Sequence, residues 1–154
     1  MALYREGSTA PLVDDGPAPL PLAEWLKDPF ATVLTLGNTD RVEDLAPHIG
    51  RLKLIVLHFP KFSDGRAYSQ ARLLRGRLGY RGELRATGGV LQDQALFMLR
   101  CGFDSFESDQ KGFGEALAKA RGLFSVVYQP AEDDRETAGL LRLRKHSEPL
   151  SPRA

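Results

Sequence analysis

The chain has 154 residues, 42% hydrophobic and 27% charged, with a formal net charge of +1 and a sequence pI of about 7.9. That is enough chain for one domain with a real core, and too little net charge for a general nucleic-acid binder. Cys101 is the only cysteine, which excludes an intrachain disulfide and any all-cysteine metal or iron–sulfur centre and suits a reducing cytosol.

The N-terminal stretch lacks the apolar run of a signal peptide, and no segment approaches the roughly 20 apolar residues of a membrane span, so a cytoplasmic location is expected. Residues 1–22 carry Pro11, Pro17, Pro19 and Pro21 and read as an extended arm with a short strand near Leu3–Arg5. Leu22–Lys27 is a short helical turn that must stop before Pro29. Ala31–Leu36 is short, apolar and β-branched, the pattern of a buried strand. Asn38, Thr39 and Asp40 offer a cap for a helix from about Arg41 to Ile49, with Gly50 as its stop.

Leu52–Phe59 is the strongest strand signal, a nearly continuous apolar run of the kind covered on both faces; it places His58 in the core. Pro60 ends it. A helix follows from about Arg66 to Leu78, with Ala67, Ala71, Leu74 and Leu78 on one face, and Gly79 closes it. Glu83–Thr87 is the next strand. Gly88 and Gly89 lead into a helix over about Val90–Arg100, apolar around most of its circumference, as in a deeply buried helix or one at an interface. Phe103–Glu107, Lys111–Ala120 and Leu123–Tyr128 read as strand, helix and strand. Residues 130–154 turn polar and are expected as a tail, disordered in part, with a short helix near Thr137–Arg144.

This alternation predicts an α/β fold: one small domain over residues 23–129 whose sheet is mainly parallel, half-barrel-like or open, with right-handed crossovers. Ligands of such sheets gather beyond the carboxyl ends of strands. Three loops belong there: Gly37–Asp40, Pro60–Gly65 and Gly88–Gly89.

Positive charge is concentrated at the second of these. Lys61, Arg66, Arg72, Arg75, Arg77, Arg81 and Arg85 face only Asp64 and Glu83 in the same stretch, which points to an anionic ligand or an acidic partner surface. Lys61, Ser63, Gly65 and Arg66 can present charge, hydroxyl and backbone amides to an anion at the helix start. The alternative is that Ser63 or Asp64 caps the helix while Arg66 and Arg72 are solvated or ion-paired. Arg85, followed by Ala-Thr-Gly-Gly, can place amides near an anion, or the Gly pair marks a tight turn. Asp93 and Gln94 either face a pocket or serve the helix start. Cys101 fits a buried structural thiol, and His48, His58 and His146 have no metal-ligand spacing. Walker, Rossmann and Ser/His/Asp patterns are absent.

The run from Leu52 to Glu107 resembles the bacterial domain-of-unknown-function family 934, through FSDGRAYSQARLLR, GELRATG and DQ followed by RCGFD. The likeness continues more weakly back to Trp25 and forward to Tyr128. Phe62, Asp64, Gly65, Arg66, Ser69, Ala71, Arg72, Arg75, Gly82, Arg85, Gly88, Asp93, Gln94, Arg100, Gly102 and Phe103 stand where the family motif has them. Gly89 departs from it, in a position where Asp is expected in relatives.

Members are often labelled oxidoreductases of sulfite reduction. The resemblance therefore implies an accessory protein of assimilatory sulfite reduction, binding sulfite reductase, its electron donor or a sulfur oxyanion through the Arg-rich loop and helix. The alternative is a small enzyme acting on an anionic sulfur-containing substrate, with Asp64 or Asp93 as acid/base group. One cysteine and no flavin or nicotinamide motif leave no cofactor expected. No nucleic-acid or membrane partner is expected, and a homo-oligomer sealed by the third helix is the remaining possibility.

Overall fold

Six strands pair into one sheet in the order β1-β6-β5-β4-β3-β2. The structure is a computed structural model and describes residues 1–147. The strands are β1 (Ala2–Arg5), β2 (Leu20–Pro21), β3 (Val33–Leu36), β4 (Leu54–Phe59), β5 (Glu83–Gly88) and β6 (Ser105–Ser108). All neighbours are parallel except β1, which runs antiparallel to β6. The expected α/β class and parallel sheet are therefore present, and the sheet is open, with β1 and β2 as its edges.

From β2 to β6, sequence neighbours are also sheet neighbours. Right-handed crossovers that always step the same way put every connecting helix on one face. The core has that form. Leu34, Leu36, Ile55, Leu57, Phe59, Leu84, Ala86 and Phe106 point to a single apolar cluster. The helices close it with Trp25 of α1 (Leu22–Trp25), Ala67 and Ala71 of α2 (Arg66–Arg72), Met98 of α3 (Ala95–Arg100), and Phe113 and Leu117 of α4 (Phe113–Gly122). The alternate residues of the pleat, among them Val33, Val56, Arg85 and Ser105, are buried but lie outside that cluster. They face the other side, where no helix among the described residues packs and Asp14 of the N-terminal arm reaches Arg85.

Local chemistry explains where the elements differ from their sequence signals. The helix expected at Arg41–Ile49 is a 3-10 stretch, Val42–Arg51, with Pro47 inside it; proline removes a backbone donor that an α-helix needs. Its expected cap is used elsewhere, since the Asp40 carboxylate accepts the Gly37 amide at 2.7 Å. Helix α2 continues as a π-helical turn over Leu73–Arg77. The third helix shortens to α3 after a 3-10 turn at Gln92–Gln94, and it is not covered all round. Ala95, Met98 and Leu99 are buried while Phe97 is open.

Leu123–Tyr128 is not a strand of the main sheet. Only Val126–Val127 (β7) is extended, and it pairs in parallel with Glu136–Thr137 (β8). The free side of β6 is already taken by β1. Helix α5 (Ala138–Ser147) then covers the expected helix near Thr137–Arg144; the end of the expected tail, residues 148–154, lies outside the described residues. No helix among the described residues is long and apolar enough to cross a membrane.

Phe106 lies in mid-sheet with its ring 6.4 Å from Phe103 and 5.9 Å from Phe113. Phe106→Ala should cost about 3–5 kcal/mol in denaturant unfolding. Phe30→Ala, at a fully open side chain, should stay within about 0.5 kcal/mol.

Candidate functional site

Three loops meet at the carboxyl ends of β3, β4 and β5, and side chains tie them together. Asn38 donates its Nδ2 to Asp64 at 2.6 Å. Gln70, buried on α2, donates Nε2 to the carbonyls of Gly37 at 2.8 Å and Asp40 at 3.0 Å. Gln94 donates Nε2 to the Phe62 carbonyl at 3.2 Å. The absence of a side chain at Gly89 is structural: a Cβ there would lie 2.5 Å from the Phe62 nitrogen and 2.8 Å from the Lys61 carbonyl carbon. An Asp at this position needs the Pro60–Gly65 backbone to move.

At the start of α2, Asp64 and Arg66 engage each other. Arg66 donates Nε and Nη2 to the Asp64 carboxylate at 2.9 and 2.7 Å, and its amide donates to the same group at 3.2 Å. Asp64 thus receives the first amide of the helix, while Gly65 occupies the cap position. The Arg66 hydrogen bonds, helped by Asn38, hold the Asp64 carboxyl well below the usual carboxylate range. It stays ionised at neutral pH and is poorly suited to exchange protons there. Lys61, Ser63, Ser69, Arg72 and Asp93 are exposed. Among the described residues no ion pair engages Lys61 or Arg72.

The remaining arginines of the basic stretch lie elsewhere. Arg75 is at the opposite, amino end of the strands, with its side chain 9% exposed. It donates to the carbonyls of Gly102 at 3.0 Å, Tyr80 at 2.9 Å and Gly82 at 2.8 Å, and to Asp104 at 2.5 Å. This clamp joins the turns that precede β5 and β6. Gly102, at φ +94°, permits the approach, since a Cβ would fall 2.6 Å from Arg75 Cγ. Arg85 is in mid-strand on the helix-free face, ion-paired to Asp14, to Glu83 at 3.2 Å and to Glu107 at 3.5 Å. The loop at Pro60–Gly65 and the Arg75 and Arg85 guanidiniums therefore occupy three separate regions.

The structure corrects the reading of one side chain, His58, and adds another, Gln70. His58 is exposed on the helix-free face, 3.4 Å from the Thr87 hydroxyl, because the apolar run of β4 breaks its alternation only there. Gln70 was not singled out, although it sits three residues after Ala67 and four before Leu74, on the apolar face of α2. A polar residue at such a position signals a buried hydrogen bond. Cys101 is buried as expected.

The outer side of α2 and α3 is open. Phe62 is 57% and Phe97 56% exposed. The Phe97 ring rests 4.8 Å from that of Tyr68, and Phe97 lines a shallow cleft of about 140 Å³ with Arg72, Arg100 and Gln129–Ala131. A larger cleft, about 550 Å³, lies at the amino end of the strands between Asp104, Arg121 and the Glu132–Arg135 stretch. Of the basic stretch from Lys61 to Arg85, Arg75 and Arg81 line it. Among the described residues no group of His, Cys, Asp or Glu could hold a metal ion.

A one-sided, open α/β sheet with an arginine-rich second helix thus defines the class. The chain belongs to the family of bacterial proteins of unknown function DUF934, whose sequence model matches residues 33–138, from β3 to the first residue of α5. No curated protein and no solved structure matches it.

Arg75→Lys should destabilise the fold by about 2–4 kcal/mol, since one ammonium nitrogen cannot reach the three carbonyls and the Asp104 carboxylate that Nε, Nη1 and Nη2 serve, and chemical unfolding measures the loss. Burial pushes the Cys101 thiol up to about 11. A thiol reagent at pH 8 should therefore react at least about tenfold more slowly with the folded protein than with the unfolded chain. The folded-state value is raised, so this contribution to stability is complete below the ordinary value of 9.0 and declines as pH climbs toward about 11.

Proposed function

We propose that this protein is an accessory factor of assimilatory sulfite reduction that docks on an acidic surface of sulfite reductase or its electron donor. The contact is the outer side of α2 with the loop before it and α3 beside it. The pathway rests on the label carried by the family this chain resembles. The docking mode rests on one observation: Phe62 and Phe97 are more than half exposed on the side that carries Arg72 and Lys61, two cations without ion-pair partners among the described residues. Aromatic and arginine side chains together are the usual anchors of protein interfaces. A catalytic reading asks Lys61, Ser63, Arg66 and Arg85 to converge on one substrate, and Arg85 lies on the other face of the sheet from α2. Arg66 is already occupied by Asp64.

The reading is tested by calorimetric titration of the protein with its organism's sulfite reductase and with that enzyme's electron donor, at low and moderate salt. Binding to one of them should weaken as salt rises. It should fall about tenfold or more in Arg72→Glu and again in Phe97→Ala. Unchanged affinity in both variants, or no binding to either protein at either salt, would overturn it. Heat released on titrating sulfite alone would move the function to a small-anion site.

A further inference from the structure

β1 and β2 are consecutive in the chain yet form opposite edges of the sheet. The segment between them, residues 6–19, must therefore reach across the whole sheet. Its first residues turn back along α4, where Glu6 pairs with Arg121 at 3.0 Å, and Leu12 bridges to Leu3, so the crossing proper runs from Leu12 to Leu20 over the face on which, among the described residues, no helix packs. Five strand spacings amount to about 24 Å, and the extended chain from Leu12 to Leu20 reaches about 26–29 Å, so the crossing runs nearly straight.

Few contacts fix it. The Thr9 carbonyl lies where a Cβ on Gly114 would be, and the Leu12 amide donates to the Leu3 carbonyl at 2.7 Å. Asp14 then pairs with Arg85. Beyond it, among the described residues, no tertiary hydrogen bond holds residues 15–19, and every residue from 9 to 19 is exposed.

Beneath the arm the sheet is already charge-balanced. Glu83 accepts from Arg5 at 2.5 Å, from Arg85 at 3.2 Å and from the Ser105 hydroxyl at 2.6 Å, and Glu107 lies 3.5 Å from Arg85. Two carboxylates on the strands match two guanidiniums. Asp14 is thus a third carboxylate, added from outside and 44% exposed, on an arginine that is only 4% exposed. An incoming carboxylate would take the Nη1 donor that Asp14 now occupies.

We propose that the Arg85 side of the sheet is a docking groove for an extended, carboxylate-bearing segment of another protein, and that residues 12–16 of this chain occupy it in cis. The arm is a tethered competitor. Its effective concentration is high, so a foreign segment must displace it or find it released. This groove lies on the opposite side of the sheet from α2 and does not depend on the role assigned to that helix.

The test uses Asp14→Asn in the full chain, which loosens the arm at an exposed position, and two synthetic peptides. One spans residues 8–20 with Asp14, the other carries Asn there. In an NMR titration the Asp peptide should shift the amides of Glu83–Gly88 and Ser105–Ser108 of the variant. The Asn peptide should need at least a threefold higher concentration, and the wild-type protein should bind the Asp peptide more weakly than the variant does. Cleavage of the arm by a nonspecific protease should also be several-fold faster in the variant, with unchanged global unfolding. Equal titration by both peptides, no shift with either, or equal cleavage would overturn the proposal. A wild-type dimer that Asp14→Asn dissociates would assign the groove to the arm of a second copy, and a foreign segment would then be wrong.

Discussion

The architecture depends on the direction in which the sheet is wound. Because each parallel strand from β2 to β6 is laid beside the one before it, right-handed crossovers leave the helices no choice of face. That rule concentrates the apolar residues of five strands and four helices into one cluster. It also strands the alternate pleat positions, and their chemistry follows. The face they occupy buries Val33 and Val56 and also carries Arg5, Glu83, Arg85, Ser105 and Glu107 in mutual hydrogen bonds and ion pairs.

The same winding separates the two ends of the sheet into different tasks. At the amino end, Arg75 satisfies three carbonyls and Asp104, locking turns that would otherwise leave buried acceptors unpaired. At the carboxyl end, loops are joined by single amide side chains, Asn38, Gln70 and Gln94, around a loop that closes only because position 89 has no Cβ. One end is held by a buried cation. The other is held by side-chain amides, one of them on the ionised Asp64, beside exposed cations and aromatic rings.

Much of this was legible in the chain. The apolar run ending at Phe59, the Ala67–Ala71–Leu74 face and the glycines at 65 and 79 locate β4 and α2 to within a few residues, because local periodicity decides them. Non-local choices were not legible. That β1 rather than Leu123–Tyr128 completes the sheet depends on competition for the edge of β6, which no window of sequence contains. The basic stretch from Lys61 to Arg85 misled for a geometric reason. A helix returning across a parallel sheet carries Arg66 and Arg75 to opposite ends, and the next strand turns Arg85 to the face away from α2. Residues close in sequence and alike in charge were thereby dispersed. The partners that matter for Arg75 and Arg85, Asp104 and Asp14, come from distant segments with no pattern to announce them.

The far edge of the sheet has a consequence for self-association. β2 is only Leu20 and Pro21, flanked by Pro19. An open parallel sheet normally offers its outermost strand as a template on which a further strand, or a whole second sheet, can grow. Here that strand is two residues long, and one of them has no amide hydrogen to donate. The prolines that make the arm extended also end the sheet, so this chain can leave one face uncovered by helices without becoming a seed for strand-by-strand aggregation at that edge.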